Sequence, residues 1–172
     1  MCRRGGGYCL RKDEPCKGHI KLYQTNCLDD CECCYLNRVY HKDQFIEVVK
    51  KRRHWNRARD TCKARGGDLY VPRRVDDLID FLRDRDMHRD MIWVGINEND
   101  KKGSYGGVHG NVIRSGWQLG QPAGKDKGEN CVGVEGSTGY HFGLVVDSCR
   151  SKKFFICGLG EQSFSDHDVQ HK

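Results

Sequence analysis

Eleven cysteines set the first limit on this chain, because they are clustered. Seven of them, Cys2, Cys9, Cys16, Cys27, Cys31, Cys33 and Cys34, lie within the opening segment of a 172-residue sequence, and Cys62, Cys131, Cys149 and Cys157 are spread through the rest. A segment that short, carrying a Gly5-Gly6-Gly7 run, cannot bury enough apolar surface to fold unaided, so cross-links must supply its stability. The remaining length suffices for one mid-sized core. The expected organisation is a small cysteine-rich domain over residues 1–35, a polar linker over 36–44, a larger domain over 45–159 and a polar tail over 160–172. Cysteine use on this scale belongs to an oxidising compartment. No leader-like segment precedes Cys2 and no apolar run approaches the ~20 residues that cross a bilayer, so the expectation is a mature, secreted, extracellular chain.

An odd number of cysteines leaves at least one thiol without a partner in the chain if all the others are bridged. With Cys31 set aside, the head cysteines run at intervals of six, six, ten and five residues and end in an adjacent pair. That spacing resembles the β-defensin and crotamine-like scaffold, and the resemblance leaves Cys31 outside the framework, as a free reactive thiol or as the point of a bridge to a second chain, which would allow disulfide-linked self-association. A zinc cluster of Cys31, Cys33 and Cys34 fits poorly, since adjacent cysteines rarely suit tetrahedral ligation and no histidine stands at finger spacing. Spacing alone does not choose among the pairings open to the other six.

Net charge is +6, and residues 36–66, with ten basic and three acidic side chains, hold the excess. Lys50, Lys51, Arg52 and Arg53 form a run there, read as a turn, and Arg57, Arg59 and Lys63 lie largely off the buried face of the helix that follows. These seven side chains would present a patch suited to anionic polymers of cell surfaces such as sulfated glycans, lipopolysaccharide or teichoic acid, since arginine meets sulfate and phosphate with two parallel hydrogen bonds. An oxidising compartment argues against nucleic acid as the partner.

Periodicity supplies the elements. Phe45-Ile46-Glu47-Val48-Val49 reads as a buried strand. A helix follows from about His54 to Arg65, with Trp55, Ala58 and Cys62 on one face and Gly66-Gly67 as its stop. A second helix is expected from Val75 to Met87, with Val75, Leu78, Ile79 and Leu82 buried and Asp76, Asp77 and Asp80 in its first turns, where the helix dipole favours acids. Residues 91–96 read as the central strand, and residues 131–134, 142–146 and 154–156 as short strands. Between Asn97 and Asn130 the chain is glycine-rich and without period, and so long an irregular segment in a small domain is usually functional.

Several of these landmarks carry a resemblance. Trp55-x-x-Ala58-x-x-x-Cys62-x-x-x-Gly66-Gly67-x-Leu69, Trp93-Val94-Gly95-Ile96-Asn97, the Trp117-x-x-Gly120-Gln121-Pro122 loop, Cys131, Cys149 and Phe154-Phe155-Ile156-Cys157 together resemble the C-type lectin-like domain. The resemblance implies an α+β fold of two helices, two small antiparallel sheets and a long irregular loop. It also implies the pairings Cys62–Cys157 and Cys131–Cys149. The head, with Gly6-Gly7-Tyr8-Cys9, is similar to the β-defensin and crotamine-like scaffold, a three-stranded sheet with three bridges, which would pair Cys2 with Cys33, Cys9 with Cys27 and Cys16 with Cys34.

In calcium-dependent members of the lectin family a Glu-Pro-Asn or Gln-Pro-Asp loop, a carboxylate two residues before the next cysteine and a Trp-Asn-Asp strand hold an ion that coordinates sugar hydroxyls. This chain keeps Gln121, Pro122 (cis, by the resemblance) and Glu129. Ala123 has no side-chain oxygen, and Leu144, Val145 and Val146 stand where the strand ligands would be. Asp147 comes one residue late, which turns a strand side chain to the other face. At the family's second ion position Glu98 and Asn130 remain, but Lys102 and Gly124 replace acids. Calcium asks for six to eight oxygens. The expected site is therefore vestigial, formed by Gln121, Pro122, Glu129 and Asp147, with no resident metal or cofactor and at most weak calcium. Trp55, Trp93 and Trp117 read as core residues rather than sugar platforms.

Enzymatic motifs are missing from the sequence: there is no Gly-x-Ser-x-Gly or His-Glu-x-x-His, and the histidines are dispersed. Two expectations remain. One is a secreted, non-enzymatic defence protein that recognises anionic or glycan surfaces. The other is a disulfide-linked structural component of an extracellular matrix, coat or biomineral.

Overall fold

A computed structural model describes residues 8–11, 19–22, 31–36, 38–41, 44–123, 130–137 and 142–159, with backbone alone before residue 41. Strands β1 (Tyr8–Arg11), β2 (His19–Leu22) and β3 (Cys31–Leu36) form an antiparallel sheet in the order β1-β3-β2, with Cys9 opposite Cys33 and Cys34 opposite both Tyr8 and Lys21. The bridges expected of this head, the state of the Cys31 thiol, Glu129 and the tail from residue 160 lie outside the described residues.

The larger sheet begins inside the segment read as a linker. Arg38–His41 forms β4 and pairs with β5 (Gln44–Arg53). Ile46, Val48 and Val49 of β5 are buried, and the strand continues through Lys50, Lys51, Arg52 and Arg53, which correct the expectation of a turn. The ladder to the last strand explains the extension, because Arg53 is paired with Lys153 beyond the final apolar residue.

After β5 come α1 (Trp55–Ala64), β6 (Gly67–Leu69), α2 (Val75–Arg83), β7 (Ile92–Glu98), β8 (Tyr105–Gly107), β9 (Asn130–Gly136), β10 (Phe142–Ser148) and β11 (Lys153–Leu159). The expectation of two small antiparallel sheets is corrected. Eight strands join one mixed sheet in the order β10-β9-β7-β11-β5-β4, with β6 on β11 and β8 on β7. The seam is the parallel contact of β7 with β11, where Phe155 stands opposite Trp93. Both side chains are fully buried, and a parallel pairing belongs where both faces are covered. The Trp93 indole N–H donates to the carbonyls of Arg53 at 3.1 Å and Ser151 at 3.3 Å, which ties the seam to the end of β5 and the turn before β11.

Each helix buries the stripe its periodicity sets. Trp55, Ala58 and Cys62 of α1 pack against Leu69, Trp93 and Phe155, and the Trp55 indole donates to Val94 O at 2.8 Å. Val75, Leu78, Ile79 and Leu82 of α2, joined by Phe81, fill a second core with Ile46, Val94, Val132 and Ile156. The helix ends at Arg83, short of Met87, whose N–H bonds to Leu82 O as the chain turns. Cys62 is bonded to Cys157, fastening α1 to β11, and Cys131 to Cys149, fastening the start of β9 to the turn after β10. Gly95 is required at the centre: a Cβ there would lie 2.4 Å from Leu69 O, inside any real contact distance.

Candidate functional site

Residues 116–123 form a loop strapped to β10. Leu144 N–H donates to Gly116 O at 2.7 Å and Gln118 N–H to Leu144 O at 3.0 Å, and the Gln121–Pro122 peptide is cis. Gln121 turns inward, where its Oε1 accepts from Val146 N–H at 3.1 Å and from Ala123 N–H at 3.0 Å. Leu144 and Val146 are almost wholly buried and offer no oxygen to a cation. Asp147 pairs with the Lys153 ammonium at 2.7 Å. Burial alone would push the Asp147 carboxyl up, but Lys153 and the Ser148 N–H outweigh it and hold the carboxyl below its ordinary range.

At the second position the Glu98 carboxylate is satisfied by the chain itself. Oε1 accepts from Gly103 N–H at 2.6 Å and Oε2 from Asn130 Nδ2 at 2.7 Å. These two bonds, with the Lys102 charge, hold the Glu98 carboxyl below its ordinary range, and burial together with Glu98 pushes the neighbouring Tyr105 hydroxyl up. Among the described residues the donors do not fit calcium. Gln121 Oε1 already accepts two backbone N–H groups, Asp147 is neutralised by Lys153, and Glu98 is bonded through both oxygens. Beside Glu98 lies a polar cleft of ≈ 390 Å³ walled by Trp55, Asn56, Asn97, Asn99, Asn130 and the Cys131–Cys149 bridge.

The cationic residues divide. Arg52 and Arg53 from the end of β5, His54 and Arg57 from the start of α1, and Lys152 from the turn before β11 line one cleft of ≈ 500 Å³, with Thr61 and a single acid, Asp60. Arg53, Arg57 and Lys152 have no carboxylate partner among the described residues, and Arg52, 55% exposed, is 3.7 Å from Asp90 and stacks over the Phe154 ring at 4.6 Å. The His54 Nδ1–H donates to the Arg150 carbonyl, which fixes the ring against the turn after β10. Lys50, Lys51, Arg59 and Lys63 do not line the cleft. Arg59 is bound in a fork to Asp68, with contacts of 3.0 Å from both Nε and Nη2, and desolvation pushes the Lys50 ammonium down against the opposing pull of Asp90 and Asp86.

His54, Lys152 and, of the asparagine cleft, Asn56 and Asn99 escape the sequence reading, which names Glu98 and Asn130 only as remnants of an ion position. Lys152 is about a hundred residues from Arg53, and only the antiparallel register of β5 with β11 brings them together. A readable signal existed for the amides: Asn97-Glu98-Asn99 closes the central strand.

Comparison with known proteins places this geometry. A family profile described as the Lectin C-type domain matches residues 51–159. The chain is similar to C-type lectin domain family 3 member A of Mus musculus, 31% identical over 85% of this chain and 78% of that protein. It is also similar to a tetranectin-like protein of Carcharhinus perezii, 28% identical over 72% and 75% of the two. Among solved structures, human lithostathine superposes with a TM-score of 0.62 at 18% identity, over 73% of this chain and 98% of that one, a likeness of fold alone.

Proposed function

The chain belongs to the C-type lectin domain family, and from that premise we propose that it is a secreted, non-enzymatic defence protein that recognises anionic or glycan surfaces through the β5–α1 cleft, without calcium. The observation that carries this reading is the convergence of Arg52, Arg53, Arg57 and Lys152 from three elements on one cleft with a single opposing acid. The Arg53 and Arg57 guanidinium groups, with no carboxylate partner among the described residues, and the exposed Arg52, whose contact with Asp90 is a long 3.7 Å, are available for the paired hydrogen bonds that sulfate and phosphate accept. The same reading is supported by the Gln121 side-chain oxygen and the Asp147 carboxylate, which are engaged within the fold by the Val146 N–H and by Lys153. No helix among the described residues is long and apolar enough to cross a membrane. The division into a cysteine-rich head and a lectin body is part of the proposal.

The test is retention on a sulfated-polymer column. Replacing Arg52, Arg53 and Arg57 with Gln together should weaken binding at least about tenfold, since each charge-assisted hydrogen bond contributes on the order of 1.5–3 kcal/mol. Arg59→Gln, at a side chain committed to Asp68, should elute close to the wild type. Unchanged elution of the triple variant would refute the reading.

A further inference from the structure

Consecutive residues of one stretch of chain line the asparagine cleft and the cationic cleft. The clefts share the first turn of α1, where Trp55 and Asn56 line one and His54 and Arg57 line the other, and Cys149 and Lys152 bring the same turn of chain to both. Their walls have opposite chemistry. The first offers neutral amides around one carboxylate, and the second offers cations around one.

Resting on the reading above, we propose that the two clefts form one bipartite site for a sulfated saccharide, with sugar hydroxyls in the amide cleft and a sulfate ester in the cationic cleft. A side-chain amide carries both donors and an acceptor, which matches a hydroxyl that donates and accepts at once. Asn56 and Asn99 have no side-chain hydrogen-bond partner among the described residues, and Asn97 commits only its Nδ2, to Glu98 O at 3.2 Å. Glu98 sets the orientation. Its carboxylate, with both oxygens bonded to Gly103 and Asn130, keeps a negative charge that repels an anion, so the hydroxyls are left to the amides and the ester is directed to the arginines on the other side of the turn. Both volumes fall in the range of about 300–1,000 Å³ typical of small-ligand pockets. A bare polyphosphate or phospholipid surface would satisfy the cationic cleft and leave the amides without a role.

The experiment compares a heparin-derived hexasaccharide with inorganic polyphosphate by calorimetry on the full chain. Asn56→Ala with Asn97→Ala should weaken the hexasaccharide about fivefold or more, as expected for lost hydrogen bonds, and leave polyphosphate within about twofold. Arg57→Gln with Lys152→Gln should weaken both ligands. Asn56→Ala alone, at an exposed position, repeats the measurement where the double variant melts early. If the asparagine variants move neither ligand, or both equally, the bipartite site is overturned and the cationic reading stands. If the Arg57 and Lys152 variant moves neither ligand, the cationic reading falls and the bipartite site with it.

Discussion

Gln121 keeps an amide oxygen where a calcium lectin would present a ligand, and here that oxygen accepts the N–H groups of Val146 and Ala123. Replacing it with alanine would leave the Val146 N–H of β10 without its partner beneath the loop. Gln121→Ala is expected to lower stability by about 1–3 kcal/mol, the cost of a stranded donor, read as a shift in the urea unfolding midpoint. A variant as stable as the wild type would contradict the structural role. The residue type was readable from the sequence, and so was the missing oxygen at Ala123. What Gln121 bonds to was not, because that depends on how closely β10 approaches the loop, and strand approach is a tertiary property. Asp147 teaches the same thing. Its one-residue offset could be counted in the sequence, but its pairing with Lys153 needed the fold.

At the scale of elements, periodicity located both helices within a few residues because each has a strict apolar stripe: Trp55, Ala58 and Cys62 in α1, and Val75, Leu78, Ile79 and Leu82 in α2. It misjudged the basic run of Lys50 to Arg53, since charged residues carry no alternation and only the β11 ladder holds them extended. The family resemblance divided one sheet in two, where the parallel seam between β7 and β11 joins segments far apart in sequence. Gly67 tests the packing of these elements. A Cβ there would lie 1.9 Å from the Gly158 carbonyl oxygen, where β6 pairs with β11. Gly67→Ala should cost about 1–3 kcal/mol or more from overpacking, seen as a lower melting temperature. An unchanged melting temperature would mean that β6 is not seated against β11.

For the whole molecule, the core and the family could be read from spaced landmarks, but the cleft could not. Its walls come from β5, α1 and the turn before β11, and composition located the charge on β5 and α1 without showing that Lys152 completes it or that Arg59 turns away to Asp68. In the proposed function recognition rests on a cationic cleft rather than on an oxygen cage, so its attraction is Coulombic and weakened by salt. The measurement that tests this most directly is calorimetric titration of the full chain with a sulfated polysaccharide, once in excess calcium and once in excess chelator. Equal affinity in both is the predicted result, and loss of binding on chelation would contradict the account.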